Sequence, residues 1–192
     1  ILVARKGKVI YQKSFGYHTY EKKNPVLNSD IYDVASITKI VATLPNLMRI
    51  YDKGKINLNT RLGEILKNFK ETNKDSITIQ ELLSHNSGLQ AWIPFYKATL
   101  DSISKKPIDS IYSKFYSKNF SVKVVDSLFI RNDYHDVMIN QIIASNLSSK
   151  KTYKYSDLAF IIFKEYIEKS TNLQLDELSE KLFYRSLGMN NT

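Results

Sequence analysis

An α+β fold, with strands and helices segregated along the chain, is predicted by the order of its hydrophobic patterns. Two runs rich in β-branched and aromatic residues, Ile1 to Arg5 and Lys8 to Phe15, flank Lys6-Gly7 and read as a hairpin. Beyond residue 30 the apolar residues recur mainly at helical spacing, and strand signals are scarce. A hairpin is marginally stable alone, so these strands need a larger sheet or a helix to pack on. The chain therefore reads as one incomplete domain. Residues 1–30 hold the hairpin and a connection, and residues 31–192 form a mainly helical part.

Composition narrows the function classes. The 192 residues suffice for a sizeable core, and 43% hydrophobic content argues against disorder. No run of about 18 apolar residues suggests a transmembrane helix. The absence of cysteine excludes disulfides and thiolate metal sites, and His18, His85 and His135 lack ligand spacing, so no metal or cofactor is expected. The 28 Lys and Arg against 19 Asp and Glu give a net charge of +9. These cations are scattered and mostly Lys, without zinc-finger spacing, an RNP-like strand or an arginine stripe, so nucleic acid is not the expected partner.

After the hairpin, Gly16 to Asp30 form a polar connection with turn signals at Asn24-Pro25 and Asn28-Ser29-Asp30. Then Ile37, Ile40, Val41, Leu44, Leu47, Met48 and Tyr51 mark a buried amphipathic helix opened by Ser36 and stopped at Lys53-Gly54. Pro45 removes one backbone hydrogen bond from it, so a kink is expected near Val41. An apolar segment follows at Leu62 to Phe69. Thr78-Ile79-Gln80-Glu81 is a capping box for a short helix through Leu83. In Ser84 to Leu89, His85 reads as a turn residue bonded within its own loop. Residues 92–151 show no clean periodicity before a helix at Asp136 to Leu147 and read as solvated loop. Tyr155-Ser156-Asp157 opens the next helix, which ends near Thr171-Asn172. The last runs from about Leu175 to Leu187, with Gly188 as its C-cap.

Ser36 and Lys39 form a Ser-x-x-Lys pair, the spacing at which an amine on the same helical turn can help deprotonate a serine nucleophile. The pattern recurs at Ser102 to Lys105 and Ser148 to Lys151, but only Ser36 starts an amphipathic helix. The free N–H groups and positive dipole end of that helix would stabilise an oxyanion beside the serine.

Three segments, in this order, resemble the serine β-lactamase and penicillin-binding protein family, nearest its class C branch. They are Asp33 to Lys39, Asp52 to Asn59 and Ile77 to Leu89. Tyr153-Lys154-Tyr155-Ser156-Asp157 resembles the family's Tyr-x-Asn element, although Tyr134 to Asp136 repeats the Tyr-x-Asp pattern, and Leu187-Gly188-Met189 resembles the segment before its returning strands. The resemblance implies a β-lactamase/transpeptidase-like fold, here partial, with residues 1–30 belonging to its α/β part and its C-terminal strands missing, and a serine hydrolase or acyltransferase. Ser36 would be the nucleophile, Lys39 would hold it and Tyr155 would be the general base, its phenolate favoured by the lysine. The substrate would be a D-alanyl peptide, a β-lactam or an ester, met in the bacterial cell envelope, with the periplasm as the compartment that the resemblance implies.

Two departures matter. Asp157, the substrate-binding candidate, stands where the family has Asn. A carboxylate cannot donate to a substrate carbonyl as an amide does, and paired with Lys39 it would argue against ordinary penicillin hydrolysis. The Lys-Thr-Gly or His-x-Gly strand is absent, which predicts low activity for this stretch alone. The alternative implied by both is an inactive domain of the same fold that binds cell-wall polymer. Fusion to another envelope enzyme, such as a family 3 glycoside hydrolase, is compatible with the family.

Overall fold

In the computed structural model, which describes residues 1–192, Lys6 and Gly7 both take left-handed backbone angles (φ 50° and 73°). Two such residues form the tight turn whose twist suits a hairpin. They join β1 (Leu2–Arg5) to β2 (Lys8–Gln12), paired antiparallel with an irregularity between Val3 and Ala4. Every residue of both strands is exposed.

The helical column that carries Ser36 changes its winding twice. A 3₁₀ turn at Ala35–Ile37 leads to a π-helical turn at Lys39–Thr43 and then to α1 (Leu44–Asp52). Pro45 explains the expected disturbance and its form. In an α-helix its ring would clash with the Val41 carbonyl and leave that oxygen without its N–H partner. Here the turn widens so that the Leu44 N–H bonds the Lys39 carbonyl, and the Val41 oxygen accepts from the Tyr184 hydroxyl at 2.9 Å. The regular α-helix thus begins at Leu44, well past Ser36, which corrects the expectation that Ser36 sits at an α-helix N-terminus.

The buried face of this column is also narrower than the periodicity implied. Ala42, Leu47 and Ile50 enter the core, whereas Ile37, Ile40, Met48 and Tyr51 are exposed. The column carries apolar residues on two faces, and spacing alone does not say which one meets the core.

The core gathers around one helix. After α2 (Leu62–Ile65), α3 (Ile79–Leu83) and α4 (Tyr134–Ala144) comes α5 (Asp157–Thr171), whose Leu158, Ala159, Ile162, Phe163 and Ile167 are fully buried. Each large side chain so buried contributes about 1.5–3 kcal/mol. α5 stops at Asn172, in the left-handed region (φ 56°), as its sequence suggested. The last helix is shorter than expected: α6 (Leu175–Ser179) passes into a π-helical turn at Glu180–Tyr184 before Gly188 (φ 67°).

A small sheet departs from the solvated-loop reading of residues 92–151. Strands β3 (Tyr112–Ser113), β4 (Val122–Val125) and β5 (Leu128–Ile130) form an antiparallel sheet in the order β3-β5-β4. Strands of two to four residues are too short to print a period-2 pattern. The wholly buried Lys74 donates to the Ile143 and Ser145 carbonyls at 3.0 and 2.5 Å, tying off the end of α4. No helix of the structure is long and apolar enough to cross a membrane.

Candidate active site

Ser36 lies in the 3₁₀ turn just after Ala35, which is itself held in the left-handed region (φ 45°). That conformation costs an alanine roughly 1–2 kcal/mol, and the Asp33 carboxylate supports it by accepting the Ala35 N–H at 2.7 Å. One turn on, the Lys39 ammonium donates to Ser36 Oγ at 3.0 Å and to Asp157 Oδ1 at 2.6 Å. Its Nζ also lies 5.2 Å from the centre of the Tyr155 ring and 5.9 Å from that of Phe160. The four residues singled out in the sequence therefore meet at one place. Two come from the start of the helical column and two from the entry to α5.

The Tyr155 and Asp157 end of the site is moulded by the loop after α3. The Gly88 carbonyl accepts from Ser148 N–H at 2.9 Å, the His85 carbonyl from Lys154 N–H at 2.7 Å and the Ala91 carbonyl from Asp157 N–H at 2.8 Å. The buried Ser156 hydroxyl donates to the Gln90 carbonyl at 2.6 Å. This pairing requires a glycine at position 88. Its φ is 82°, and a Cβ there would meet the Ser148 carbonyl oxygen at 2.6 Å.

His85 corrects the sequence reading. Its imidazole does not bond within its own loop; Nδ1 accepts the Ser156 N–H at 3.2 Å, and the ring stacks at a tilt on Tyr155 with centroids 4.6 Å apart. The signal was its place in the Ile77 to Leu89 segment. Its partner lies 71 residues on, which no local pattern reveals.

Burial alone would lower the Lys39 pKa. Hydrogen bonds and charge from Asp157 and Tyr155 outweigh it and raise the ammonium's pKa above its ordinary value. The Tyr155 phenol is drawn below its usual value, first by hydrogen bonding with Ser36 and then by Lys39. His85 is held below the ordinary histidine value by burial and then by the Lys39 charge. At neutral pH the arrangement is a cation beside a serine hydroxyl and a phenol whose ionised form it favours.

The competing motifs fall elsewhere. Ser102 to Lys105 and Ser148 to Lys151 lie in exposed loops. Tyr134 of the second Tyr-x-Asp is buried at the start of α4 and donates to the Phe95 carbonyl at 2.9 Å. No three His, Asp or Glu side chains come together in a cluster suited to a metal ion.

Comparison with known proteins agrees with the resemblance. The chain is 21% identical over 192 residues to a penicillin-binding protein of Bacillus subtilis (strain 168), covering 100% of this chain and 37% of that protein. It is 26% identical over 205 residues to a putative D-alanyl-D-alanine carboxypeptidase of Salmonella agona (strain SL483), covering 100% of this chain and 42% of that one. The chain thus spans about two fifths of the length of these relatives. Among solved structures, the octameric penicillin-binding protein homologue from Pyrococcus abyssi superposes with a TM-score of 0.68 at 20% identity, over 98% of this chain and 38% of that one. The likeness bears out the α+β fold with an N-terminal hairpin and a mainly helical body. The Beta-lactamase family profile matches residues 1–192, and the chain belongs to that family.

Proposed function

We propose that the protein carrying this chain is a serine hydrolase or acyltransferase that forms an acyl-enzyme on Ser36. The observation that carries the reading is the convergence of Ser36 and Lys39, on one turn, with Tyr155 from a distant segment, Lys39 Nζ lying 3.0 Å from Ser36 Oγ. In the proposed first step the Ser36 hydroxyl proton passes to the Tyr155 phenolate while Oγ bonds the substrate carbonyl carbon. The tetrahedral adduct collapses, the bond to the amine or alkoxide leaving group breaks, and Tyr155 returns the proton to that group. Water then takes the place of Ser36 in a second round. Lys39 keeps its proton throughout and stabilises the phenolate.

The 2.6 Å pair between Lys39 and Asp157 bears on substrate. A carboxylate at 157 has no N–H to give a substrate amide carbonyl. This favours an ester, which presents no such amide, over a β-lactam or a D-alanyl peptide as the main substrate, met in the bacterial cell envelope. The same pair motivates a second reading, a non-catalytic domain that binds cell-wall polymer. Intact-mass analysis of the complete protein, incubated with a penicillin and with an activated ester and controlled by Ser36→Ala, decides between them. A serine-dependent adduct supports the enzyme. Saturable peptidoglycan binding that survives Ser36→Ala, with no adduct from either reagent, replaces it with the binding domain.

A further inference from the structure

His85 grips the Tyr155 segment on both sides. Its carbonyl oxygen accepts the N–H of Lys154 and its ring Nδ1 accepts the N–H of Ser156, so the residues before and after the tyrosine are both anchored to one histidine. Between those anchors the imidazole lies 4.6 Å from the Tyr155 ring, with Phe160 at 5.8 Å and Tyr153 edge-on at 6.1 Å. From this geometry we infer that His85 is a positioning residue: as a neutral imidazole protonated on Nε2 it fixes Tyr155 toward Ser36 and Lys39, and protonation of Nδ1 releases it. The inference rests on the reading of Tyr155 as general base.

The direction of the pH effect follows from the hydrogen bond. An N–H donor needs a lone pair on Nδ1, and an imidazolium would set one N–H against another. The charged groups that face the ring are Lys39, which disfavours the imidazolium, and Asp157, which favours it; its aromatic neighbours are the phenols of Tyr153 and Tyr155 and the Phe160 ring. Burial and Lys39 prevail, so the neutral form persists below the ordinary histidine range. The grip is intact above that range and fails as pH falls beneath it. Acylation then loses rate in acid through a group that neither attacks nor receives the transferred proton.

Asparagine is the informative replacement. Its amide oxygen can accept the Ser156 N–H, it tolerates the left-handed backbone of position 85 (φ 56°), and it does not titrate. In the complete protein, the acylation rate by an activated ester is measured from pH 4 to 9, a range of about two units either side of the ordinary histidine value, for wild type, His85→Asn and His85→Ala. Thermal melts confirm folding. The expected result is a wild-type acid step, steeper than the Tyr155 limb alone, that His85→Asn lacks while keeping the Tyr155 limb, with its neutral-pH rate kept within about tenfold, the worth of a lost ring contact. His85→Ala should lose about 10²-fold, as a misplaced base does, with KM for the ester little changed. If His85→Ala does not fold, the wild-type and His85→Asn profiles decide alone.

Nitrogen-15 chemical shifts of His85 in Ser36→Ala give a readout free of turnover, and should show an Nε2-protonated neutral ring near neutral pH. An Nδ1-protonated or charged ring there overturns the inference whatever the activity. So does an acid step unchanged in His85→Asn, while a Ser36-dependent adduct in that experiment leaves the acyl-enzyme reading standing. No Ser36-dependent adduct at any pH sinks the acyl-enzyme reading itself, and the positioning role with it.

Discussion

Lys39 and Asp157 are 118 residues apart in sequence and 2.6 Å apart in space, and the lysine side chain is only 15% exposed. Their pairing joins the serine-bearing turn to the start of α5. It also ties up one of the three N–H bonds of an ammonium that already donates to Ser36 Oγ.

Replacing Asp157 by Asn removes that carboxylate and introduces an amide donor. Acylation of the complete protein by a penicillin should rise by about tenfold, the value of one good hydrogen bond. Stopped-flow or intact-mass kinetics would measure it, and an unchanged or lower rate would show that Asp157 does not restrict the substrate.

The acylation rate should follow a bell-shaped curve with pH. Tyr155 has its pKa lowered from 10.0, so the rate climbs as the phenolate forms, on a limb below that value. Lys39 has its pKa raised from 10.5, so the cation and its effect on the phenol are lost only above that value. Asp157→Asn removes a partner that holds the lysine proton, and the falling limb should move to lower pH. Tyr155→Phe should abolish the rising limb and cost about 10²- to 10⁴-fold, the usual worth of a general base. A Tyr155→Phe protein with a normal rate would instead leave Lys39 as the base.

Tyr184→Phe deletes the hydroxyl that satisfies the Val41 carbonyl while keeping the buried ring. Urea unfolding should register a loss of about 1–3 kcal/mol, the cost of a buried acceptor left without a partner. Because Val41 belongs to the π-helical turn that also holds Lys39, a fall in acylation rate should accompany it.

Gly88→Ala combines a left-handed backbone with a clash against the Ser148 carbonyl. The strain should lower the melting temperature of the complete protein and reduce acylation more than it weakens substrate binding, since the displaced backbone is the one that moulds the approach to Tyr155. Gly54→Ala makes a useful control, because that glycine has a similar φ of 68° and open space where the Cβ would go.

Lys74→Met keeps the buried stem and removes the ammonium that binds the end of α4. It should destabilise the fold by about 1–3 kcal/mol through the carbonyls left unpaired. Acylation at temperatures well below the melt should be unaffected, which separates this structural lysine from Lys39.

Much of this was legible because it is local. Lys6-Gly7 specifies a turn through backbone freedom, Thr78 and Glu81 cap α3 through bonds three residues apart, and the apolar spacing of α5 announces a helix that the core then surrounds. Ser36 and Lys39 come together on one turn for the same reason. What needed the tertiary structure was every choice between equally good local patterns. The sequence holds two Tyr-x-Asp patterns, and only the one beside the His85 to Ala91 loop meets the serine; the tyrosine of the other is buried and bonded to the Phe95 carbonyl. It marks Pro45 as a disturbance, but the π-helical turn depends on a hydroxyl from Tyr184 reaching across 143 residues. It makes His85 a turn residue, and only packing turns that ring toward Tyr155. Propensity and capping act over a few residues, whereas the partners of a buried carbonyl, a ring face or an ammonium are decided by which distant segments the core brings into contact.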